Sequence, residues 1–342
     1  MSAVRDAFRA QARACAGLGS PFMVRLMALA ADRLAPGTPV ADRILGWPGE
    51  AGPSGASVPL RLAGALHALV IDGTDPGLAL VYPPAEASDD ALWAAVETAL
   101  LRHEARLLHG LDSPPQTNEV RRSAALLAAA TWIAARLPLP VVLSELGASA
   151  GLNLVFDRYA LRAGGQTLGA EGSPVTLAPD WRGPVPAPRT IAVTQRAGVD
   201  LSPLDPREAS ARLRLLAYLW PDQPQRRRLT EAAMALADTV PDRGDAAPWL
   251  ERRLAERHEG RVHMVFHTVA WQYFPAETQA RCSAALEAAG ARADAHAPLA
   301  RIGMEADATP GSAALTVTLW PGGETRELAR VDFHGRAVDW RA

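Results

Sequence analysis

The chain has 342 residues, of which 49% are hydrophobic and 21% are charged, and its formal net charge is −2 at pH 7. This composition is typical of a globular protein and excludes a disordered or fibrous architecture. No lysine occurs, so all 35 residues of the lysine and arginine class are arginines, which excludes a Schiff-base lysine and a P-loop lysine.

The charge balance and the cysteines limit the classes of partner. Without a basic excess, the sequence predicts no general nucleic-acid binding. Cys15 and Cys282 are too few for a disulfide scaffold and lack the spacing of a metal knuckle, so we expect no metal site and a cytoplasmic location. The longest uncharged apolar stretch, residues 123–135, is shorter than the ~20 residues of a bilayer span, so we expect no membrane partner.

The first part of the chain has helical periodicity. Apolar residues recur at spacings of three and four up to about residue 138, and glycine and proline clusters divide the pattern. A long helix is predicted over residues 89–109, and the next helix begins at 116–119 with Thr117 or Asn118 as its N-cap. We therefore predict a helical N-terminal or cap region over residues 1–136.

The pattern changes to strands alternating with helices after Pro138. Strands are predicted at 140–144, 190–194, 261–267, 299–304, 314–320 and 328–333. Helices are predicted at 152–161, 207–219, 225–237, 249–258 and 277–289. Residues 164–188 form a predicted insertion with a hairpin at 175–177. The sequence thus predicts an α/β domain over residues 137–342 that ends in an antiparallel hairpin.

The segment from Glu145 to Asn153 is the most informative motif. It connects a predicted strand to a predicted helix, and a helix N-terminus at such a turn offers free N–H groups to a ligand. The acidic residue followed by glycines at two and six residues resembles the first loop of class I S-adenosylmethionine-dependent methyltransferases, with Ser149 in place of the usual middle glycine. The cofactor-binding candidates in this segment are Glu145, Gly147, Ala148, Ser149, Gly151 and Asn153. A tight turn without a ligand is the structural alternative.

The same segment also fits the G-x-S-x-G nucleophile elbow of α/β hydrolases. Ser149 would then be the nucleophile, with Asp245 or Asp307 as the acid and His334 as the base. Against this alternative, the region before residue 138 is helical rather than built of several strands, and no oxyanion loop of the His-Gly-Gly type precedes the elbow.

Two later acidic segments favour the methyltransferase interpretation. Asp200, followed by Leu201, resembles the end of the second strand of that fold, where a carboxylate accepts hydrogen bonds from the ribose hydroxyls. Asp245, followed by Ala246, resembles the loop after the third strand, where an acidic side chain and the next amide hold the adenine. Each segment alone is also a common turn or cap sequence.

Polar residues in two further segments are candidates for the catalytic pocket. His267 ends the strand predicted at 261–267, and Tyr273 follows it. This strand resembles the fourth strand of the methyltransferase fold, at whose end the methyl acceptor meets the sulfonium. Asn118 and Glu119 follow a rigid Pro-Pro loop and would belong to a lid. His267 is the candidate general base because its unperturbed pKa lies nearest neutral pH. The alternatives are a hydrogen-bonded core histidine and simple helix capping.

Read together, the motifs identify the chain as resembling the bacterial family called domain of unknown function 2332, over essentially its whole length. The motifs that carry this resemblance are residues 116–119, 145–154, 157–159, 198–203, 220–223, 228–229, 267–273, 320–323 and 334–335. The resemblance implies a Rossmann-like, class I methyltransferase-type sheet but gives no substrate. We expect methyl transfer from S-adenosylmethionine to a small or medium metabolite. A serine hydrolase and a non-catalytic nucleotide-binding protein are the alternatives, and the oligomeric state stays open.

Overall fold

The structure is a computed structural model that describes residues 3–342. The chain forms two compact units. One comprises Met1–Thr117 and Glu208–Arg228, and the other comprises Asn118–Arg207 and Leu229–Ala342. The second unit thus begins at Asn118, whereas the sequence places the change at residue 137. The helix Ser123–Ala134 explains this difference, because its apolar and small residues are buried on every side within the second unit.

The α-helices of the described chain have the following bounds: α1 Ala3–Gly17, α2 Pro21–Arg33, α3 Pro39–Leu45, α4 Val58–Ile71, α5 Pro76–Ala79, α6 Asp89–Arg102, α7 Glu104–Asp112, α8 Ser123–Ala134, α9 Ala209–Ala217, α10 Pro224–Leu236, α11 Ala246–Ala255 and α12 Ala276–Gly290. Short 3-10 helices span Val120–Arg122, Leu152–Arg158 and Trp271–Tyr273. The helical character predicted for the first part of the chain is confirmed. No helix within residues 3–342 is both long enough and apolar enough to cross a membrane.

The single helix predicted over residues 89–109 is wrong, because α6 and α7 are separate helices. They meet at His103, whose φ of −115° and ψ of 30° lie outside the helical region. The His103 Nε2 atom lies 3.0 Å from Oδ2 of the buried Asp75, which also caps α5 by accepting a hydrogen bond from the N–H of Leu78. This contact to a buried carboxylate occurs at the residue where the helix breaks.

The strands are β1 Val141–Leu146, β2 Ala160–Ala163, β3 Gln166–Gly169, β4 Thr176–Leu177, β5 Asp180–Arg182, β6 Val193–Asp200, β7 Asp242–Arg243, β8 Val262–Thr268, β9 Leu299–Ala306, β10 Ala313–Trp320, β11 Glu324–Val331 and β12 Ala337–Trp340. Nine of these described strands form one sheet in the order β5-β12-β11-β10-β9-β8-β1-β6-β7. A three-stranded sheet has the order β3-β2-β4. The predicted α/β architecture is confirmed.

Five of the nine strands of the large sheet form a continuous parallel part. β7, β6, β1, β8 and β9 are neighbours in that order and all run parallel. Numbered along the chain, they have the order 3-2-1-4-5 that begins the doubly wound sheet. β10 is antiparallel to β9, and β11 and β12 continue the antiparallel part, which confirms the predicted C-terminal hairpin. The strand order reverses between β1 and β8, where ligands bind at the carboxyl ends of the strands in sheets of this kind.

The α-helix predicted over residues 152–161 is wrong, because this segment is a kinked 3-10 helix that ends at Arg158. Side chains take the carbonyl groups that an α-helix would need for its own ladder. Arg196 Nη1 donates to the carbonyl of Leu154 at 2.9 Å, and Tyr159 Oη donates to the carbonyl of Leu152 at 2.5 Å. The contact of Arg196 comes from a residue 42 positions away in the sequence, which the local periodicity does not encode.

The strand predictions around the insertion also need correction. The hairpin predicted at 175–177 is wrong, since β4 pairs parallel with β2, and the hairpin is formed by β2 and β3 instead. The strand predicted at 190–194 begins later, as β6. Residues 164–188 contribute β5, which pairs with β12 at the edge of the large sheet, so this segment is part of the fold.

Two glycines allow a test of how tightly the turn after β1 is packed. Gly151 and Gly165 both have positive φ, 71° and 78°. A Cβ on Gly151 would lie 2.9 Å from the carbonyl oxygen of Thr239, whereas a Cβ on Gly165 would have no atom within 4 Å. We expect Gly165→Ala to lower the free energy of unfolding by about 1–2 kcal/mol through φ alone. Gly151→Ala should cost a further ~1–3 kcal/mol through the clash.

Urea unfolding monitored by circular dichroism measures both losses, with Gly165→Ala as the matched control. Equal decreases in the free energy of unfolding of the two variants would show that the chain near Thr239 does not constrain the turn.

Candidate functional site

The carboxyl ends of β1 and β8 carry unusual backbone conformations. Ser149, after β1, has a φ of 54°, and Val269, after β8, has a φ of 50°. A β-branched residue such as valine rarely adopts positive φ, and strain of this kind concentrates at functional sites. A Cβ on Gly147 would lie 2.6 Å from the Cβ of Ala270, so the two loops pack directly against each other. The candidate site is therefore the crevice edge where the strand order reverses.

The turn after β1 is held by hydrogen bonds from its own backbone. The N–H groups of Gly147 and Ala148 donate to the carbonyl of Val199 at 2.9 and 3.0 Å, and the N–H of Gly151 donates to the carbonyl of Ala148 at 2.7 Å. The N–H of Ser149 donates to Asp200 Oδ2 at 2.8 Å. The N–H groups of Ala150 and Leu152 donate to Asn118 Oδ1 at 3.2 and 2.8 Å. All six consecutive donors therefore have acceptors within the protein. The expectation that this turn offers free N–H groups to a ligand is wrong for these six.

Two carboxyl groups meet beside this turn. Glu145 is only 1% exposed, and its Oε2 atom has no hydrogen-bond partner among the described residues. Burial and the negative charge of Asp200 raise the pKa of the Glu145 carboxyl well above its ordinary range. Asp200 accepts one N–H on each oxygen, from Ser149 and from Ser202. Each of its oxygens thus keeps lone pairs for a further donor.

The predicted adenine-side residues lie next to Asp200. The N–H of Gly244 donates to the carbonyl of Asp200 at 3.0 Å, which brings the start of α11 to the same sheet edge. Asp245 caps α11 through Oδ1, which accepts the N–H of Ala247 at 2.8 Å, and its Oδ2 accepts the hydroxyl of Thr278 at 3.2 Å. Both carboxylate oxygens of Asp245 therefore already have structural partners. The backbone N–H of Ala246, the first residue of α11, has no acceptor within the helix.

The other predicted residues of the turn divide into packing and exposed positions. Ala148 is buried, and Gly198 approaches it so closely that a Cβ on Gly198 would lie 2.7 Å from the Ala148 Cβ. Asn153 is also buried and accepts the hydroxyl of Ser123 at 2.7 Å. Leu201 is 71% exposed directly after Asp200 and offers an apolar surface at this edge.

His267 belongs to a buried hydrogen-bond network. Its Nδ1 lies 2.8 Å from Glu305 Oε1, and its Nε2 accepts from the guanidinium of Arg301 at 3.2 Å. Burial lowers the pKa of His267, which favours the neutral ring with the proton on Nδ1. Glu305 Oε1 also accepts the N–H groups of Ala270 and Trp271, both at 3.1 Å. In this geometry His267 fixes the loop after β8, and neither ring nitrogen is open to accept a proton from a substrate.

The lid candidate Asn118 and His267 contact different parts of the structure. Side chains alternate along β8. Phe266 contacts Phe156 of the 3-10 helix after the turn, with ring centroids 5.7 Å apart, whereas His267 stacks on Trp271 at 4.9 Å. Asn118 binds the turn that leads into that 3-10 helix. The structure thus brings Asn118 to the turn and not to His267.

Glu119 and Tyr273 differ in their surroundings. Glu119 is buried and accepts hydrogen bonds from the backbone N–H and the guanidinium of Arg121. Tyr273 is 71% exposed in the 3-10 helix that follows the strained loop. Tyr273 is therefore at the rim of the crevice edge, whereas Glu119 is committed to a local ion pair.

The hydrolase alternative lacks an activated nucleophile in this geometry. Ser149 has the positive φ of an elbow, but its Oγ has no hydrogen-bond partner among the described residues. Asp307 pairs with Arg330 at 2.6 Å. The backbone N–H of His334 donates to Asp332 in the turn before β12. No acid–histidine–serine chain connects these residues.

Sequence reasoning missed the two charged residues of β9 that organise the loop after β8. Arg301 and Glu305 are both directed to His267. The available signal was the presence of an arginine and a glutamate inside an otherwise apolar, buried strand, because a buried charge requires a partner.

Comparison with known protein families assigns the chain to one family. The family model described as "Uncharacterized protein conserved in bacteria (DUF2332)" matches residues 5–340. The protein belongs to this bacterial family, as its motifs predict. The comparisons with curated proteins and with solved structures gave no match. The description of the family names no activity, so the site itself has to carry the argument about function.

The buried carboxyl group makes stability depend on pH. In the unfolded chain Glu145 titrates near its ordinary pKa of 4.5, whereas in the folded protein its pKa is higher. Between these two values the folded state binds more protons, so the free energy of unfolding falls as the pH rises. In wild type, this fall in the free energy of unfolding amounts to about 1.4 kcal/mol for each pH unit between the two pKa values. We expect Glu145→Gln to remove it.

Urea unfolding of wild type and Glu145→Gln from pH 4 to pH 8 tests this sign, with the exposed Glu171→Gln as the control. A Glu145→Gln variant that is less stable than wild type at neutral pH would mean that the carboxylate is ionised and stabilising.

Proposed function

We propose that the protein is an S-adenosylmethionine-dependent methyltransferase with a class I-type Rossmann-like domain, acting on a small or medium metabolite. The observation that carries the proposal is the position of Asp200. Its carboxylate stands at the end of the second parallel strand and is bonded to the turn after the first, next to the reversal in strand order. A carboxylate at this position accepts the ribose hydroxyls in nucleotide-binding sheets.

The electrostatics of the site fit a cationic cofactor. S-adenosylmethionine carries a positive sulfonium and a positive amino group, and Glu145 and Asp200 supply two carboxyl groups in one corner. Glu145 Oε2 lacks a hydrogen-bond partner among the described residues and would gain one from a cationic donor. Because an opposite charge favours the ionised form, binding would lower the raised pKa of Glu145.

The contacts of the turn indicate which groups would hold each part of the cofactor. Asp200 would accept the ribose hydroxyls with its remaining lone pairs. Leu201 would pack against the adenine, and the N–H of Ala246 would donate to it, since the side chain of Asp245 is occupied by its cap and by Thr278. Gly147, Ala148, Ser149 and Gly151 would contribute the shape of the turn, because their N–H groups are already bonded.

The reaction places few demands on the protein. When bound, S-adenosylmethionine supplies an electrophilic methyl group. The chain then has to align the acceptor in line with the departing sulfur and exclude water. The rim formed by Tyr273 and Trp271 would position the acceptor, and the network of His267, Arg301 and Glu305 would hold that rim. His267 thus acts as a positioning residue, and the acceptor loses its proton without a base from this ring.

The cellular setting is part of the same proposal. The two cysteines of the chain are both free and buried, which fits a reducing, cytoplasmic environment. We propose a small-molecule acceptor because the sequence lacks the basic excess that nucleic acids attract.

Calorimetric titration with S-adenosylmethionine and S-adenosylhomocysteine tests the proposal. We expect saturable binding that Asp200→Asn weakens about tenfold or more, since charge-assisted hydrogen bonds to the ribose are lost. Asp180→Asn, an exposed aspartate on β5, is the matched control and should bind like wild type. Circular dichroism confirms that each variant is folded.

Absence of binding by folded wild-type protein at millimolar ligand would contradict the methyltransferase proposal. Binding without methyl transfer to any acceptor in a metabolite extract would favour the non-catalytic nucleotide-binding alternative. Covalent labelling of Ser149 by a fluorophosphonate, lost in Ser149→Ala, would favour the hydrolase.

A further inference from the structure

A cavity of about 250 Å³ lies at the amino ends of β8 and β9, the edge of the sheet opposite to the candidate site. The ends of α11 and α12 and the loops that follow them enclose it. Its walls combine apolar and basic groups with the carboxylate of Glu256. The apolar and basic residues include Leu254, His258, Arg261, His263, Pro298 and Leu299. The methyltransferase proposal makes no use of this cavity.

A buried polar cluster adjoins the cavity wall. Ser144 Oγ lies 2.8 Å from His263 Nε2 and accepts from Arg253 Nε at 3.3 Å. The rings of His258 and His263 meet edge to face with centroids 4.9 Å apart. Burial lowers the pKa of His263 to about 3 and also lowers the pKa of His258, so both rings are neutral at pH 7.

Two buried nitrogens of this cluster have no hydrogen-bond partner in the part of the chain that the structure describes. Among residues 3–342, neither His258 Nε2 nor Arg253 Nη2 has a hydrogen-bond partner, although both atoms are buried. Arg261 lines the same cavity and forms no ion pair with a described residue. A buried N–H without an acceptor is costly, most of all when it belongs to a charged group. Arg253 Nη2 is thus a buried donor without an acceptor, and His258 Nε2 is a second one when the ring proton is on that nitrogen.

The neighbouring cations are accounted for by their own partners. Arg257 pairs with Glu259 and Asp294. Arg292 donates to the carbonyls of Leu254 and Ala288, near the C-terminal ends of α11 and α12, where cations are favoured. Glu256 is the one acidic residue on the cavity wall among the described residues; its side chain is 59% exposed, and its Oε1 lies 3.5 Å from His258 Nδ1.

We propose that this cavity is a second binding site, for a small molecule that carries a carboxylate or phosphate group. The oxygens of the anion would accept from the guanidinium of Arg261 and from the imidazole of His258, which both line the cavity. Its apolar part would pack against Leu254, Pro298 and Leu299. The guanidinium of Arg261, which has no carboxylate partner among the described residues, suits an oxyanion because charge-assisted hydrogen bonds between such groups are strong.

Calorimetric titration of the full chain with inorganic phosphate and, separately, with succinate tests this proposal at constant ionic strength. We expect saturable binding of one of the two anions, and the one that binds identifies the headgroup. Arg261→Gln should weaken binding at least tenfold, the effect of losing one charge-assisted hydrogen bond. His258→Asn provides a second variant should Arg261→Gln fail to fold.

Two control variants test whether the anion binds in this cavity. One tests general electrostatic attraction of the anion to the protein, and the other tests binding at the candidate site on the opposite edge of the sheet. Arg252→Gln removes an exposed cation of α11 that does not line the cavity, and it should leave anion binding unchanged. Asp200→Asn should also leave it unchanged, whatever happens to S-adenosylmethionine binding. The proposal fails if neither anion binds saturably, or if Arg252→Gln and Arg261→Gln weaken binding equally.

Discussion

The bonding of the turn after β1 is the constraint on which the candidate site depends. Six consecutive N–H groups donate to oxygens of the protein, and two side chains distant in sequence, Asn118 and Asp200, accept three of them. These bonds hold Ser149 at positive φ and bring the ends of β1 and β6 together. The turn is thereby rigid before any ligand arrives, so recognition depends on the side chains around it and on its shape. Preorganisation of this kind reduces the ordering cost of binding.

The same corner carries two carboxyl groups that differ in their solvation. Asp200 receives two N–H donors, whereas Glu145 is buried with an oxygen that has no partner among the described residues. Burying a carboxyl group without a partner destabilises a protein, and such features are concentrated at functional sites. On the other side of the strand reversal, the loop after β8 contains Val269 at positive φ and is held by Glu305. Strain and uncompensated burial thus occur together at one sheet edge, and this coincidence is the physical case for a binding site there.

Periodicity and turn residues were sufficient to predict the alternation of strands and helices, because these signals are local. The parallel core, the C-terminal hairpin and the helical first part all follow from them. Contacts from other parts of the chain accompany the failures: Arg196 donates to the carbonyl of Leu154 inside the predicted α-helix, and Asp75 contacts His103 at the break between α6 and α7. At the site, the strand-end position of Asp200 could be predicted, but the use of the turn N–H groups by Asn118 could not. His267 lost its expected role as a base because Arg301 and Glu305, which no motif marked, occupy both ring nitrogens.

A crystal structure grown with S-adenosylhomocysteine tests the central claim most directly, that the corner formed by Glu145, Asp200 and the turn is a nucleoside-binding site. The account predicts the ribose hydroxyls within hydrogen-bond distance of Asp200 and the amino group of the ligand near Glu145, with the backbone of residues 147–152 unchanged. Ligand bound at another place on the chain, or a turn that must break its bonds to Asn118 to admit the ligand, would contradict the account.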